Sequence, residues 1–353
     1  TLRISDNTIS ATVSNANIDL MPSTDIADIG ALVQVWLVPN AYGTSQSDYF
    51  GGSVAISGNY AIVGAAGEDD AGGDSSGKAY IFNVTTGALV HTLDNPTAYS
   101  TSSGDRFGYS VAISGDIAIV GAYFEDDAGG YSSGKAYIFN VTTGALVHTL
   151  DNPNAYGTSQ TDYFGEAVAI SGNSAIVGAR GEGDAGGVFS GKAYIVNVTT
   201  GALVHTLDNP NAYSDTVTYE SFGFSVAISG NYAIVGAFSE DDAGGTSSGK
   251  AYIYNVTSGA LVHTLDNPNA YGTTAGDIFG HSVAISGNSA IVGAYGEDDA
   301  GGTFSGKAYI YDVTTGALLH TLDNPTAFGT SQSDQFSYSV AISGNSAIVG
   351  AYG

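Results

Sequence analysis

The chain has 353 residues, 43% of them hydrophobic and none of them cysteine, so it can bury a large core but has no disulfides, thiol catalysis or thiolate metal sites. Thirty-four acidic residues against eight basic ones leave a formal net charge of −26, a field that repels phosphate backbones and anionic lipid headgroups and makes nucleic acid and membrane surfaces unexpected partners. No run approaches the roughly 18 apolar residues of a membrane span, and a start at Thr1 without a basic-then-apolar leader reads as a processed or trimmed chain.

Residues 1–29 form a segment of their own, in which TLRISDNTISATVSNANIDL alternates apolar and polar positions around Asp-Asn and Ser-Asn turns, the pattern of short β hairpins. From residue 30 to 353 the sequence is governed by a repeat. Units begin at Phe50, Phe107, Phe164, Phe222, Phe279 and Phe336, with steps of 57, 57, 58, 57 and 57 residues, and a fixed period of this size indicates a radial or stacked array. In the first unit SVAIS (53–57) and YAIVGA (60–65) flank Gly58-Asn59, a two-residue hairpin signal. KAYIFNV (78–84) and ALVHTL (88–93) flank Thr85-Thr86-Gly87, and Asn95-Pro96 then ends the ladder.

Four antiparallel strands per unit make a blade, and the fold expected is an all-β, six-bladed β-propeller. Alanine and glycine in the first two strands suit a crowded hub. The sixth unit stops at Gly353 after two strands, while Gly30 to Gly43 (GALVQVWLVPNAYG) matches Gly87 to Ser100 (GALVHTLDNPTAYS) at an offset of 57. That N-terminal stretch is an orphan fourth strand, and Ile18 to Leu20 or a neighbour is a candidate third. Joining N- and C-terminal strands closes the last blade within the chain; inserting them into a neighbouring molecule builds a head-to-tail filament.

Phe-Gly-x-Ser-Val-Ala-Ile at Phe107 to Ile113, Ile-Val-Gly-Ala at Ile119 to Ala122 and Gly-Lys-Ala-Tyr-Ile-Phe at Gly134 to Phe139 resemble the FG-GAP repeat, the propeller repeat of integrin α subunits and of bacterial and phage surface proteins. The resemblance implies a propeller used for adhesion or protein contact rather than catalysis. Integrin-type repeats hold calcium between their first two strands; here the tight turns Gly58-Asn59, Gly115-Asp116 and Gly172-Asn173 stand there, so that site does not carry over. The segment before the repeat resembles the repetitive β segments of marine phage fibre proteins.

Hairpin geometry gathers both long connections of every blade on one face. That face receives Glu68-Asp69-Asp70, Glu125-Asp126-Asp127, Glu182 with Asp184, Glu240-Asp241-Asp242 and Glu297-Asp298-Asp299, and the acids two places before each phenylalanine, Asp48, Asp105, Asp162, Glu220, Asp277 and Asp334. One expectation is that these are solvated loop ends that confer solubility. The other is calcium, with ligands drawn from Asp48, Asp69, Asp70, Asp105, Asp126, Asp127, Asp162, Asp184, Asp241, Asp242, Asp277, Asp298 and Asp299.

Some places in the unit differ from copy to copy, and these are the candidate contacts for a protein or glycan: Tyr109, Tyr123, Phe124, Tyr131, Arg180, Phe189, Phe224, Phe238, His281, Tyr295 and Phe304. His91, His148, His205, His263 and His320 recur once per blade, which suits a structural role better than one asymmetric catalytic site. Lys78, Lys135, Lys192, Lys250 and Lys307 are expected to offset the preceding acidic loops. The Asn-Val-Thr triplets from Asn83 onward give way to Asp312-Val-Thr, which favours a local turn bond over a glycan. The expected protein is an extracellular or virion-surface, non-catalytic adhesion propeller. Its alternatives are a filament or fibre subunit joined by strand exchange, and a carbohydrate-active enzyme on a propeller frame.

Overall fold

The computed structural model describes residues 2–5, 8–11, 36–39, 47–69, 73–96, 104–126, 130–153, 161–183, 189–211, 220–241, 246–268, 276–298, 303–325 and 333–352. The chain is an all-β six-bladed propeller, preceded by a hairpin of Leu2–Ser5 and Thr8–Ala11. Blade one comprises Phe50–Ser57, Tyr60–Ala65, Lys78–Asn83 and Leu89–Asp94, each antiparallel to the next. Blades two to five repeat this order.

Alternate residues of each sheet face opposite ways, and both faces are apolar, so neighbouring blades bury each other. Ile62, Ile81 and Leu93 of blade one share a core with Phe107, Val111, Tyr137 and Phe139 of blade two. Within each blade the phenylalanine that opens the unit meets the tyrosine of the third strand edge-on, with ring centroids 5.6 Å apart for Phe107–Tyr137 and Phe164–Tyr194. The first strands line the hub, where Ser53 Oγ accepts from Val111 N–H and Ser110 Oγ from Val168 N–H, both at 3.0 Å. Main chains also approach closely there: a Cβ on Gly121 would stand 1.9 Å from the Gly165 carbonyl oxygen of the next blade. Only glycine tolerates that contact.

The loop glutamates are not solvated ends, which corrects the expectation from charge alone for these positions, while Asp69 beside Glu68 is exposed. Glu68, Glu125, Glu182, Glu240 and Glu297 are all buried, and each accepts the third-strand tyrosine hydroxyl: Tyr80 to Glu68 at 2.5 Å, Tyr194 to Glu182 at 2.5 Å, Tyr309 to Glu297 at 2.5 Å. The glutamate carbonyl closes the loop as well, taking Gly77 N–H at 2.9 Å in blade one. Asp105 and Asp162, buried too, accept the side-chain amides of Asn95 and Asn152 at 2.9 Å, which ties the end of one blade to the start of the next. A buried carboxylate is unfavourable until donors reach it, and the repeat supplies them at fixed spacing.

The lysines offset the loop glutamates, as expected, Lys78, Lys192 and Lys250 pulling the carboxyls of Glu68, Glu182 and Glu240 down against burial, but their direct partners lie elsewhere. Lys78, Lys135, Lys192 and Lys250 pair with Asp94, Asp151, Asp208 and Asp266 on the adjoining fourth strand, where strand pairing places them opposite. Lys307 alone among the described lysines reaches both its loop glutamate, Glu297, and Asp323. The histidines staple blades together: His91, His148 and His205 place Nε2 3.0 Å from the carbonyls of Thr142, Thr199 and Thr257 of the following blade. Asn83 Oδ1 accepts Thr85 and Thr86 N–H at 3.0 and 2.9 Å, and Asp312 does the same.

Blade six is divided. Ser339–Ser343 and Ser346–Gly350 pack on blade five, whereas Trp36, one repeat before Leu93, stacks on Phe82 of blade one at 4.8 Å and donates Nε1–H to the Gly87 carbonyl at 3.2 Å. Between the halves, Val54 and Ile56 are 65% and 69% exposed and Ile348 is 74% exposed, while Ile62, Ile119, Ile176, Ile234 and Ile291 at the place of Ile348 are 0% exposed. The candidate third strand, Ile18 to Leu20, lies outside the described residues.

Two tests follow from this packing. Burial raises the carboxyls of Glu182, Glu240 and Glu297 to about 7, so each is neutral in the folded chain at mildly acidic pH. A raised folded value means that their contribution is full below the unfolded carboxyl range and is lost as pH rises through about 7. The melting temperature should therefore fall between about pH 5 and 8.5, and Glu182→Gln, which keeps an acceptor for Tyr194, should flatten the profile. Gly121→Ala should cost about 1–3 kcal/mol in urea unfolding, the usual range for overpacking; an unchanged midpoint would mean that the blades are not in contact at the hub.

Candidate functional site

The long connections meet on one face, where Gly104 and Phe107 donate their N–H groups to the Asp74 and Ser76 carbonyls at 2.8 and 2.9 Å. The residue before each Phe is thereby drawn into the left-handed region: φ is 55° at Tyr49, 61° at Arg106, 59° at Tyr163, 58° at Ser221, 61° at Ile278 and 49° at Gln335. Side chains other than glycine rarely hold this conformation. Here the surrounding bonds enforce it, since Arg106 N–H reaches the Ser75 carbonyl at 3.3 Å and its own carbonyl accepts Tyr109 N–H at 3.0 Å.

The result is a rim around the axial channel, a cavity of about 780 Å³ lined by residues of all six blades, with Ser53, Ser110, Ala167, Ser225, Ser282 and Ser339 on its wall. Three kinds of place supply the rim: the residue after Phe-Gly in all six blades, the residue after Gly-Ala, which lines the cavity at Ala66 and Tyr123 and meets the lining rings elsewhere, and the residue before Phe at Tyr49, Arg106 and Tyr163. Ring contacts run around it nearly without a break. Tyr109 meets Tyr123 at 4.4 Å, Phe124 meets Tyr163 at 5.7 Å, and Arg180 lies over Tyr163 and Phe224 at 5.2 and 5.6 Å. Phe224 meets Phe238 at 4.6 Å, His281 meets Tyr295 at 4.6 Å, and Tyr338 stacks on Tyr352 at 5.1 Å.

The electrostatics of the rim differ from those of the whole chain. Arg180 is paired with Glu166, whose carboxyl is raised by burial against the opposing pull of that guanidinium. Burial pushes His281 down to about 4, so its ring is neutral at neutral pH. Arg106 lies 5.9 Å over the Tyr49 ring, and among the described residues no carboxylate forms an ion pair with it. Blade one stands apart in size: Gly52 and Ala66 occupy the two places where the other blades carry Tyr109 and Tyr123, Glu166 and Arg180, Phe224 and Phe238, His281 and Tyr295, and Tyr338 and Tyr352. The rim is open there.

Of the residues singled out in the sequence, Tyr109, Tyr123, Phe124, Arg180, Phe224, Phe238, His281 and Tyr295 come together at this mouth. Phe189 lies in a separate 210 Å³ pocket with Tyr163, Arg180 and Ser221. Tyr131 and Phe304 are exposed farther along the loops and do not line the channel. Sequence reasoning passed over Tyr49, Arg106, Tyr163 and Tyr352 as rim residues. For the first three the available signal was that the place before Phe also varies between units, with tyrosine in two of the six.

The described carboxylates do not fit a calcium ion. Asp69, Asp126, Asp241 and Asp298 each turn Oδ1 to a main-chain N–H six residues on, at 2.8, 2.8, 2.7 and 2.9 Å. Asp105, Asp162 and Asp277 accept asparagine amides. An N–H donor engages one oxygen of each of these carboxylates, and no three acidic or histidine side chains converge among the described residues. Asp48 is buried; Asp70, Asp127, Asp184, Asp242 and Asp299 lie outside the described residues.

Comparison with curated proteins finds no match. A family model described as the FG-GAP repeat matches residues 40–82, 97–139, 154–196, 212–254, 269–311 and 326–353. These six matches cover most of the chain and coincide with the six blades, and the chain belongs to the FG-GAP repeat family.

Proposed function

We propose that this propeller is a non-catalytic adhesion or attachment module that works outside the cell or on a virion surface and grips a protein or glycan at its channel mouth. The observation that carries the reading is where the repeats differ. Strands, hub glycines and loop anchors recur from blade to blade, whereas the variable residues after Phe-Gly line one mouth in all six blades and those after Gly-Ala line it or meet its rings. A side chain that held the fold would be repeated with it; rim side chains vary because their task is contact with something else. Aromatics supply large contact area there at low entropic cost. FG-GAP repeats are typical of extracellular proteins, and no helix of the described chain is long and apolar enough to cross a membrane.

A second reading, self-assembly by strand exchange, is favoured by the divided sixth blade. Val54, Ile56 and Ile348 occupy places that are covered at the junctions between other blades, and a segment from another copy completing blade six would cover them. This reading expects light scattering to give multiples of the monomer mass that revert to the monomer when residues 1–39 are removed. The adhesion reading expects Tyr123→Ala with Phe224→Ala to reduce attachment of the protein to its target cells or particles at least about tenfold, the scale of hot-spot truncation, with an unchanged melting temperature. Full attachment by that variant would remove the channel mouth as the contact surface.

A further inference from the structure

The rim has a gap, a cation and a shortage of main-chain partners, and together these specify more than a contact surface. The gap is at blade one, where Gly52, Ser53 and Ala66 floor a notch leading outward from the cavity. The cation is Arg106, held in the left-handed region at φ 61° beside the notch, over Tyr49 and without a carboxylate in ion-pair contact among the described residues. Main-chain donors are used up: the N–H groups of Tyr109, Glu166, Phe224, His281 and Tyr338 each bond the carbonyl three residues back, at 3.0, 3.1, 3.1, 3.3 and 3.1 Å. An extended peptide would find no ladder to join. What the mouth offers is ring faces, phenol and serine hydroxyls and, beside Arg180 with its Glu166 partner, one guanidinium without an ion pair among the described residues, the chemistry that receives the C–H face, the hydroxyls and an acidic substituent of a sugar.

We propose that the channel mouth is a directional glycan site: a terminal uronic acid enters the cavity against the aromatic rim, its carboxylate meets Arg106, and the rest of the oligosaccharide leaves over blade one. The proposal rests on the reading of the rim as the attachment surface and adds the ligand's class and direction. A polyanion is excluded by the net charge of −26, but a single carboxylate is not: the neighbouring acids are buried and bonded, and at physiological salt a charge is felt over only about 8 Å.

The test titrates the full chain by calorimetry with a glucuronic-acid-terminated trisaccharide, its glucose-terminated counterpart and free glucuronic acid. Two substitutions have precedents in the fold. Glutamine stands at the place of Arg106 in blade six, as Gln335 with φ 49°, and tyrosine stands at the place of Ala66 in blades two, five and six, as Tyr123, Tyr295 and Tyr352. The acidic trisaccharide should bind at least tenfold more tightly than the neutral one. Arg106→Gln should erase that ratio by weakening the acidic trisaccharide more than the neutral one, and Arg106→Lys should restore part of it. Ala66→Tyr should weaken the trisaccharide at least tenfold and spare free glucuronic acid. Equal affinity for acidic and neutral sugars, or equal losses for trisaccharide and monosaccharide in Ala66→Tyr, would overturn the proposal. No sugar binding, with attachment still lost on Tyr123→Ala and Phe224→Ala, would refute the glycan and leave the rim; attachment unaffected by those rim variants would refute the rim reading itself.

Discussion

Removing a carboxylate from water costs more than most single contacts return, unless the protein supplies donors to it. This chain makes that exchange at the root of a long loop in blade after blade. The glutamate that opens the acidic loop sinks into the core beneath it and meets a tyrosine hydroxyl twelve residues on, while its main-chain carbonyl draws the far end of the loop back by a glycine N–H. Next to it, the acid that precedes the opening Phe accepts an amide from the asparagine that ends the preceding blade. Both long connections are thus fixed at their ends. The left-handed residue before each Phe is a consequence, held by bonds from the fixed loop on one side and the rim on the other.

That division of labour explains which positions are free to change. At the hub, the glycine of each second strand lies under a carbonyl of the next blade, with no room for a methyl group at Gly64, Gly121, Gly178 or Gly236, so the sequence there repeats. At the rim the backbone is already satisfied and the side chains project into the channel mouth. Nothing in the fold prefers tyrosine over arginine or histidine at those places. Arg180 and Glu166 illustrate the limit: a charged pair stands in blade three where the other blades carry aromatic, small or imidazole groups, and it is tolerated because the two neutralise each other.

Much of the architecture was legible. The period marked the blades, Gly58-Asn59 and its copies marked the hairpins, and the short turns placed both long loops on one face. The acids were misread because charge in a sequence carries no depth: Glu68, buried, and Asp69, exposed, are adjacent letters with opposite environments. The correcting signal was present in the constant spacing from each loop glutamate to a third-strand tyrosine. The lysines do offset the loop glutamates, but their direct partners were missed, since those are set by their place opposite an aspartate in the neighbouring strand. Of the rim, the places after Phe-Gly and after Gly-Ala were found by comparing units. The place before Phe was missed because its conformation is imposed by hydrogen bonds from another loop.

The divided blade shows how the same rules act on the chain ends. In blades one to five a lysine on the third strand faces an aspartate on the fourth. Counting back one repeat from Lys78 and Asp94 gives Met21 and Leu37, so both members of the ion pair are apolar in the N-terminal segment. Losing one member would strand a charge, whereas losing both strands none. Trp36 in place of Leu93 enlarges the apolar anchor on blade one. The uncovered Val54, Ile56 and Ile348 then mark a seam whose closure is favoured by the apolar area it would remove from water. That driving force is the same whether the missing strands come from one chain or two, so linker length and concentration, rather than the chemistry of the seam, determine which of them closes it.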